Sequence, residues 1–105
     1  MQINFKGHGL DVTPALKAFT QDKLQKLEHH FEHIKTFNIV FRVEKLRQIA
    51  EATLTINKAE IHASAESEDM YGSIHTLVDR LDRQLNEHKQ KKLDYRDHRG
   101  HIEEQ

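Results

Sequence analysis

The spacing of apolar residues changes period along the chain, and this change constrains the fold more than any other feature. Ile3 and Phe5 alternate with polar neighbours, which is typical of a half-buried strand. A helical spacing begins behind Thr13-Pro14, an N-cap followed by a proline at the first helical position. Its apolar members are Leu16, Phe19, Leu24, Leu27 and Phe31. The pattern predicts a strand and then a helix over about residues 14 to 32.

From Thr36 the period of two returns and persists through three segments. Asn57-Lys58 makes a tight turn between the last two segments, so we expect antiparallel pairing there. The apolar positions on one face are Phe37, Ile39, Phe41 and Val43, then Ala50, Ala52, Leu54 and Ile56, then Ile61, Ala63 and Ala65. These segments predict three strands with one apolar and one polar face. The small alanines leave room for helices to approach the sheet.

A second helical spacing begins after Asp69, whose carboxylate can cap the first free N–H groups. Its apolar members are Met70, Ile74, Leu77, Val78, Leu81 and Leu85. We expect this helix to span about residues 70 to 91. Residues 94–105 contain one aliphatic residue and no periodicity, which predicts a flexible C-terminal tail.

The element order is therefore β-α-β-β-β-α, in which two amphipathic helices cover one apolar sheet face. This predicts an α+β two-layer sandwich, with two helices packed on one face of a four-stranded sheet. We expect one domain over residues 1–93 and the tail over residues 94–105. The 105 residues include no cysteine, which removes thiol chemistry and fits a reducing cytoplasm. No apolar run approaches membrane-spanning length, so we expect a cytoplasmic protein with no membrane partner.

The formal charge of -1 hides a segregation of charged residues along the chain. Residues 60–69 contain four acids and no Lys or Arg, whereas residues 88–92 contain three lysines and no acid. Arg80 and Arg83 are three residues apart in the second helix, and Lys23 and Lys26 repeat this spacing in the first, with Lys17 earlier. An electropositive stripe that binds RNA and an ordinary solvated helix face both fit this pattern.

Catalytic and metal sites have little support in the sequence. Glu60, His62, Ser64 and Glu66 alternate on one predicted strand, but same-face neighbours lie about 7 Å apart, too far for a Ser–His hydrogen bond. His29 and His33 stand one helical turn apart, a spacing that can chelate a transition metal. Without a cysteine or an H-E-x-x-H motif, we expect only adventitious binding of added metal. No enzyme, cofactor or small-molecule substrate is predicted.

Sheet aromatics that would stack RNA bases are not predicted, because Phe37 and Phe41 share the apolar face. If RNA binds, the helices should bind it.

Six segments together carry a family resemblance: 60–66 (EIHASAE), 69–71 (DMY), 81–89 (LDRQLNEHK), 1–4 (MQIN), 13–16 (TPAL) and 23–28 (KLQKLE). They resemble the short-form ribosome hibernation promoting factors of bacteria, a family to which YfiA is related. The resemblance covers residues 1 to 92 and implies a fold akin to double-stranded-RNA-binding domains. It also implies a function without catalysis. Such a protein binds the small ribosomal subunit across the tRNA and mRNA path in stationary phase, inhibits translation and favours inactive ribosome dimers.

Carried over by position, the resemblance implies a set of residues that contact rRNA. They are Lys17, Lys23, Lys26, Arg80, Arg83, Lys89, Lys91 and Lys92. Glu87 stands where relatives carry a lysine, which interrupts the cationic set. The partners implied are small-subunit rRNA, intact ribosomes and ribosome dimers, and the free protein is expected to be a monomer.

Three alternatives remain open from the sequence: a YfiA-like stabiliser of single inactive ribosomes, a His-based metal-binding protein, and an interaction module that pairs through an exposed edge strand.

Overall fold

A computed structural model describes residues 2–31, 34–56 and 59–100, with side chains described as far as His88 except for that of His30. The elements are β1 (Gln2–His8), α1 (Pro14–His30), β2 (Ile34–Glu44), β3 (Arg47–Ile56), β4 (Ala59–Ser67) and α2 (Met70–Gly100). The predicted order β-α-β-β-β-α and the α+β class are confirmed. The Asn57-Lys58 turn lies outside the described residues.

The four strands form one sheet in the order β1-β2-β3-β4. β1 is parallel to β2, because α1 carries the chain back to the start of the sheet, and the other two pairs are antiparallel. Phe37 lies opposite Leu54, and Ala52 lies opposite Ala63 on the next strand. Large side chains thus fill the middle of the apolar face, and small ones lie beneath α2.

Both helices pack on that apolar face, with α2 against β3 and β4 and α1 beside α2. Two buried polar side chains of the described residues belong to this layer, and each has a partner. Thr20 Oγ1 donates to the Leu16 carbonyl at 2.8 Å, and Ser73 Oγ donates to the Gln48 carbonyl at 2.6 Å. The largest fully buried side chains among the described residues are Leu24, Phe37, Ile39, Phe41, Leu54, Ile74, Leu77 and Leu81, with Thr20 and Ser73.

The predicted caps begin both helices. Thr13 Oγ1 accepts from the Leu16 amide at 3.1 Å, ahead of the proline at the first turn of α1. Asp69 Oδ2 accepts from the Gly72 amide at 3.1 Å. Each oxygen satisfies a backbone donor that has no partner inside its helix.

α2 ends at Gly100, beyond the end near residue 91 that the sequence predicts. The physical reason is that residues 73–99 contain no glycine or proline, so no local signal stops the helix. Its 31 residues span about 46 Å, and they account for a longest dimension of 55 Å. The division into a domain of residues 1–93 and a flexible tail of residues 94–105 stays a prediction. Neither described helix is long and apolar enough to cross a membrane.

Candidate nucleic-acid interface

α2 covers the outer edge of β4 with polar side chains. Arg80 Nη1 donates to the Ser64 carbonyl at 2.5 Å, and Gln84 Nε2 donates to the His62 carbonyl at 2.7 Å. These donors occupy positions that a further strand would otherwise use. One side of α2 is therefore fixed along the sheet edge, with its cations held beside β4.

An open groove of about 660 Å³ lies between this side of α2 and the polar face of the sheet. We call it the arginine groove. Its polar lining combines cations with uncharged hydrogen-bonding groups. The lining residues are Glu51, Ala52, Thr53, His62, Ala63, Ser64, Arg80, Arg83 and Gln84.

The charge of the arginine groove comes mainly from its two arginines. Glu51 is the one acid among the described residues of the lining, and it is paired with Arg42 at 2.5 Å. Arg83 is exposed, and its guanidinium makes no hydrogen bond or ion pair within the described part of the chain. Arg80 uses one N–H on Ser64 and retains others. The fork of an arginine suits phosphate oxygens, so the groove has the chemistry to bind a phosphate backbone.

α1 presents its lysines on two different flanks. Phe19 packs edge-on against Tyr71 with ring centroids 4.8 Å apart, and Lys23 Nζ lies 5.5 Å from the centre of the Phe19 ring. Lys23 therefore faces the junction with α2, and Lys26 is about 60° further round the helix. Lys17 lies about 120° from Lys23 in the other direction. The structure does not bring Lys17 together with the other two lysines.

The arginines and the α1 lysines also lie on different sides of α2. Tyr71 marks the flank that faces α1, whereas Arg80 marks the flank that faces β4. The exposed surface between these flanks carries Asp79, whose Oδ2 is 3.8 Å from His75 Nε2. The single cationic stripe suggested by the sequence is thus divided into two patches.

Comparisons with known proteins agree with this architecture. The sequence profile of the family described as Sigma 54 modulation protein / S30EA ribosomal protein matches residues 3–93. A protein of Azotobacter vinelandii named ribosome hibernation promoting factor is 49% identical over 94 residues, covering 90% of this chain and 88% of the relative. The chain belongs to the ribosome hibernation promoting factor family.

Other members and solved structures extend the comparison. The ribosome hibernation promoting factor of Escherichia coli K12 is 46% identical over 91 residues, 87% of this chain and 96% of its own. A ribosomal subunit interface protein from Coxiella burnetii superposes with a TM-score of 0.81 at 35% identity, covering 85% of this chain and 98% of that chain. The N-terminal domain of Thermus thermophilus Protein Y, at 24% identity and a TM-score of 0.76, supports the fold alone.

The lysines near the C-terminal end of α2 are described by their backbone positions. Lys89, Lys91 and Lys92 belong to the final part of α2, whose side chains lie outside the described ones. Glu87 is exposed and stands one turn after Arg83, so an acid does lie beside the arginine groove. The eight predicted rRNA contacts stay a prediction.

The metal and catalytic alternatives gain no geometric support where the chain is described. His29 is exposed on α1, but His33 lies outside the described residues, so the predicted pair stays untested. No group of three potential ligands converges within the described segments. His62 Nδ1 contacts Thr53 Oγ1 at 3.0 Å, and no hydrogen bond joins this ring to Ser64 among the residues described.

The sequence reasoning missed three groups that shape the arginine groove: the Gln84 amide and the carbonyls of His62 and Ser64. Gln84 stands four residues after Arg80, and this spacing places both on one flank. The two carbonyls can accept from α2 because β4 is an edge strand, and only the strand order of the structure shows that position.

Proposed function

We propose that the protein is a ribosome hibernation factor that binds rRNA of the small subunit at the tRNA/mRNA path. Bound there, it inhibits translation in stationary phase and promotes inactive ribosome dimers. Family membership supports the ribosome as partner. The observation that carries rRNA binding is the arginine groove, where Arg83 offers an exposed guanidinium next to Arg80 that makes no ion pair with any described side chain.

Binding of this kind needs charge and shape more than base recognition. Each cation that reaches a phosphate releases a condensed counterion, which drives association in a salt-dependent way. Arg80 is already oriented by the Ser64 carbonyl, so it loses little side-chain freedom when RNA arrives. The groove therefore presents one oriented guanidinium, that of Arg80, beside the exposed guanidinium of Arg83.

The remaining cations extend this contact. Lys23 and Lys26 supply a second patch beside α2, and Lys89, Lys91 and Lys92 follow Arg83 further along α2. Lys17 lies on the far flank of α1, so we expect its removal to weaken binding least. The function needs no catalytic group or cofactor, and it places the protein in the cytoplasm, as a monomer when free.

Sucrose-gradient sedimentation of ribosomes with the protein tests the proposal. Arg83→Ala should weaken association several-fold and lower the slope of log K against log salt by about one. Lys6→Ala is the matched control, because it removes one exposed cation from the open sheet face. An Arg83→Glu, Lys91→Glu variant that sediments with ribosomes as fully as the unsubstituted protein would refute rRNA binding by this surface.

The same gradient separates dimer promotion from the YfiA-like alternative. Accumulation of ribosome dimers supports the proposal, whereas accumulation of single inactive ribosomes supports stabilisation without dimerisation.

A further inference from the structure

We propose that the tip of the β2–β3 hairpin is a second docking surface, which binds a basic protein surface containing an apolar socket. Leu46 lies at this tip with 86% of its surface exposed. Tyr71 is also exposed, but it packs against Phe19. Leu46 is therefore the large apolar side chain of the described residues whose position the fold does not explain.

The turn that carries Leu46 departs from ordinary hairpin chemistry. Glu44 pairs with Arg47, which leaves a two-residue loop. Lys45 has a φ of 56° and is the one non-glycine residue with positive φ in the described part of the chain. A positive φ at the first loop position alone is the geometry of a type II′ turn, where glycine is preferred. Two adjacent residues thus break local preferences, a pattern expected at functional sites.

The base of the hairpin is fixed to the rest of the domain. Arg47 Nε lies 2.5 Å from Glu66 Oε2, and the hydrogen bond to this carboxylate, together with its charge, raises the pKa of the Arg47 guanidinium. Gln48 Nε2 donates to the Glu68 carbonyl at 3.3 Å, and the Gln48 carbonyl accepts from Ser73 at 2.6 Å. The backbone next to Leu46 is therefore held in a defined position, which lowers the entropy cost of binding.

Charge around the tip selects protein over RNA as the partner. Acids outnumber cations here, and Arg47 is already neutralised by Glu66. An excess of negative charge repels a phosphate backbone and attracts a surface rich in Lys and Arg. Apart from the Arg42–Glu51 and Arg47–Glu66 ion pairs, the charged residues near the tip are Glu44, Glu68 and Asp69 against Lys45.

The tip can be occupied at the same time as the arginine groove. Ser73 joins the first turns of α2 to Gln48, and Arg80 in the groove lies about 10 Å further along the helix. The C-terminal end of α2 is about 45 Å away from that first turn. Taken with the proposed function, the partner is a basic protein of the ribosome, contacted while rRNA occupies the cationic side.

A photo-crosslinker in place of Leu46 tests this directly. Benzoylphenylalanine at position 46, irradiated with ribosomes, should give an adduct that survives ribonuclease and is degraded by protease. The same probe at Gln25, exposed on α1, is the control. An rRNA adduct at position 46, or no adduct in ribosome-bound protein, overturns this inference and leaves the proposed function untouched. Failure of the unsubstituted protein to sediment with ribosomes overturns the proposed function and this inference together.

Affinity provides a second readout. Leu46→Ser should weaken ribosome binding about tenfold, by a factor that stays constant between about 50 and 200 mM salt. Leu46→Met keeps the apolar volume, so its affinity should stay within about twofold. Because position 46 is exposed, circular dichroism should show both variants folded. Equal affinities of Leu46→Ser and the unsubstituted protein would contradict the proposed contact.

Discussion

Ser73→Ala should destabilise the protein by about 1–2 kcal/mol. Ser73 is fully buried, and its hydroxyl donates to the Gln48 carbonyl at 2.6 Å. Loss of a buried hydrogen bond costs about 1–3 kcal/mol. Alanine returns about 0.5 kcal/mol through its higher helix propensity. The melting temperature should fall by roughly 4–12 °C, as expected for a domain of about 100 residues.

Urea titration followed by circular dichroism measures this change, with an unchanged m-value showing that the denatured state is unaffected. Ser64→Ala is the control, because Ser64 is an exposed serine and its removal should cost less than about 0.5 kcal/mol. If Ser73→Ala is as stable as Ser64→Ala, the hydroxyl does not join α2 to the hairpin in solution, and the argument for a fixed hairpin base is lost.

Three further substitutions test single features. Thr13→Ala removes the N-cap of α1 and should lower the free energy of unfolding by about 1 kcal/mol, measured by thermal melting against Gln25→Ala. Lys45→Gly relieves the positive φ and should raise the free energy of unfolding by about 0.5–1 kcal/mol, seen as a higher urea midpoint. A lower midpoint would refute strain at the turn. Glu87→Lys adds a cation beside the arginine groove and should steepen the slope of log K against log salt for ribosome binding by about one. Glu28→Lys makes the same charge change on α1, away from the groove, and should leave that slope unchanged.

The order of the elements could be predicted because each depends on local periodicity and local caps. Phe37, Ile39 and Phe41 share a face in any strand, and Thr13 caps α1 through an oxygen three residues from its donor. The end of α2 could not be placed. Residues 94–105 contain one aliphatic residue, which suggests a tail, but a helix continues on backbone hydrogen bonds until a residue stops it.

For the candidate site, the sequence could predict only which cations lie next to each other on the same helix. A spacing of three places Arg80 and Arg83 on the same flank. Their separation from Lys23 depends on how α1 and α2 meet, which the contact between Phe19 and Tyr71 determines. Contacts between distant elements leave no periodic signal, so the carbonyls of β4 and the groove beside them had to come from the structure.

The parallel pairing of β1 has a consequence for the order in which the chain folds. β2, β3 and β4 are joined by short connections, whereas β1 reaches its partner across 34 residues, as between Asn4 and Asn38. Loop closure over that distance is slower than formation of a hairpin. The strand that is synthesised before the other three is thus the last to be paired. Substitutions in the β2–β3 hairpin should slow refolding, and those at Ile3 or Phe5 should chiefly speed unfolding.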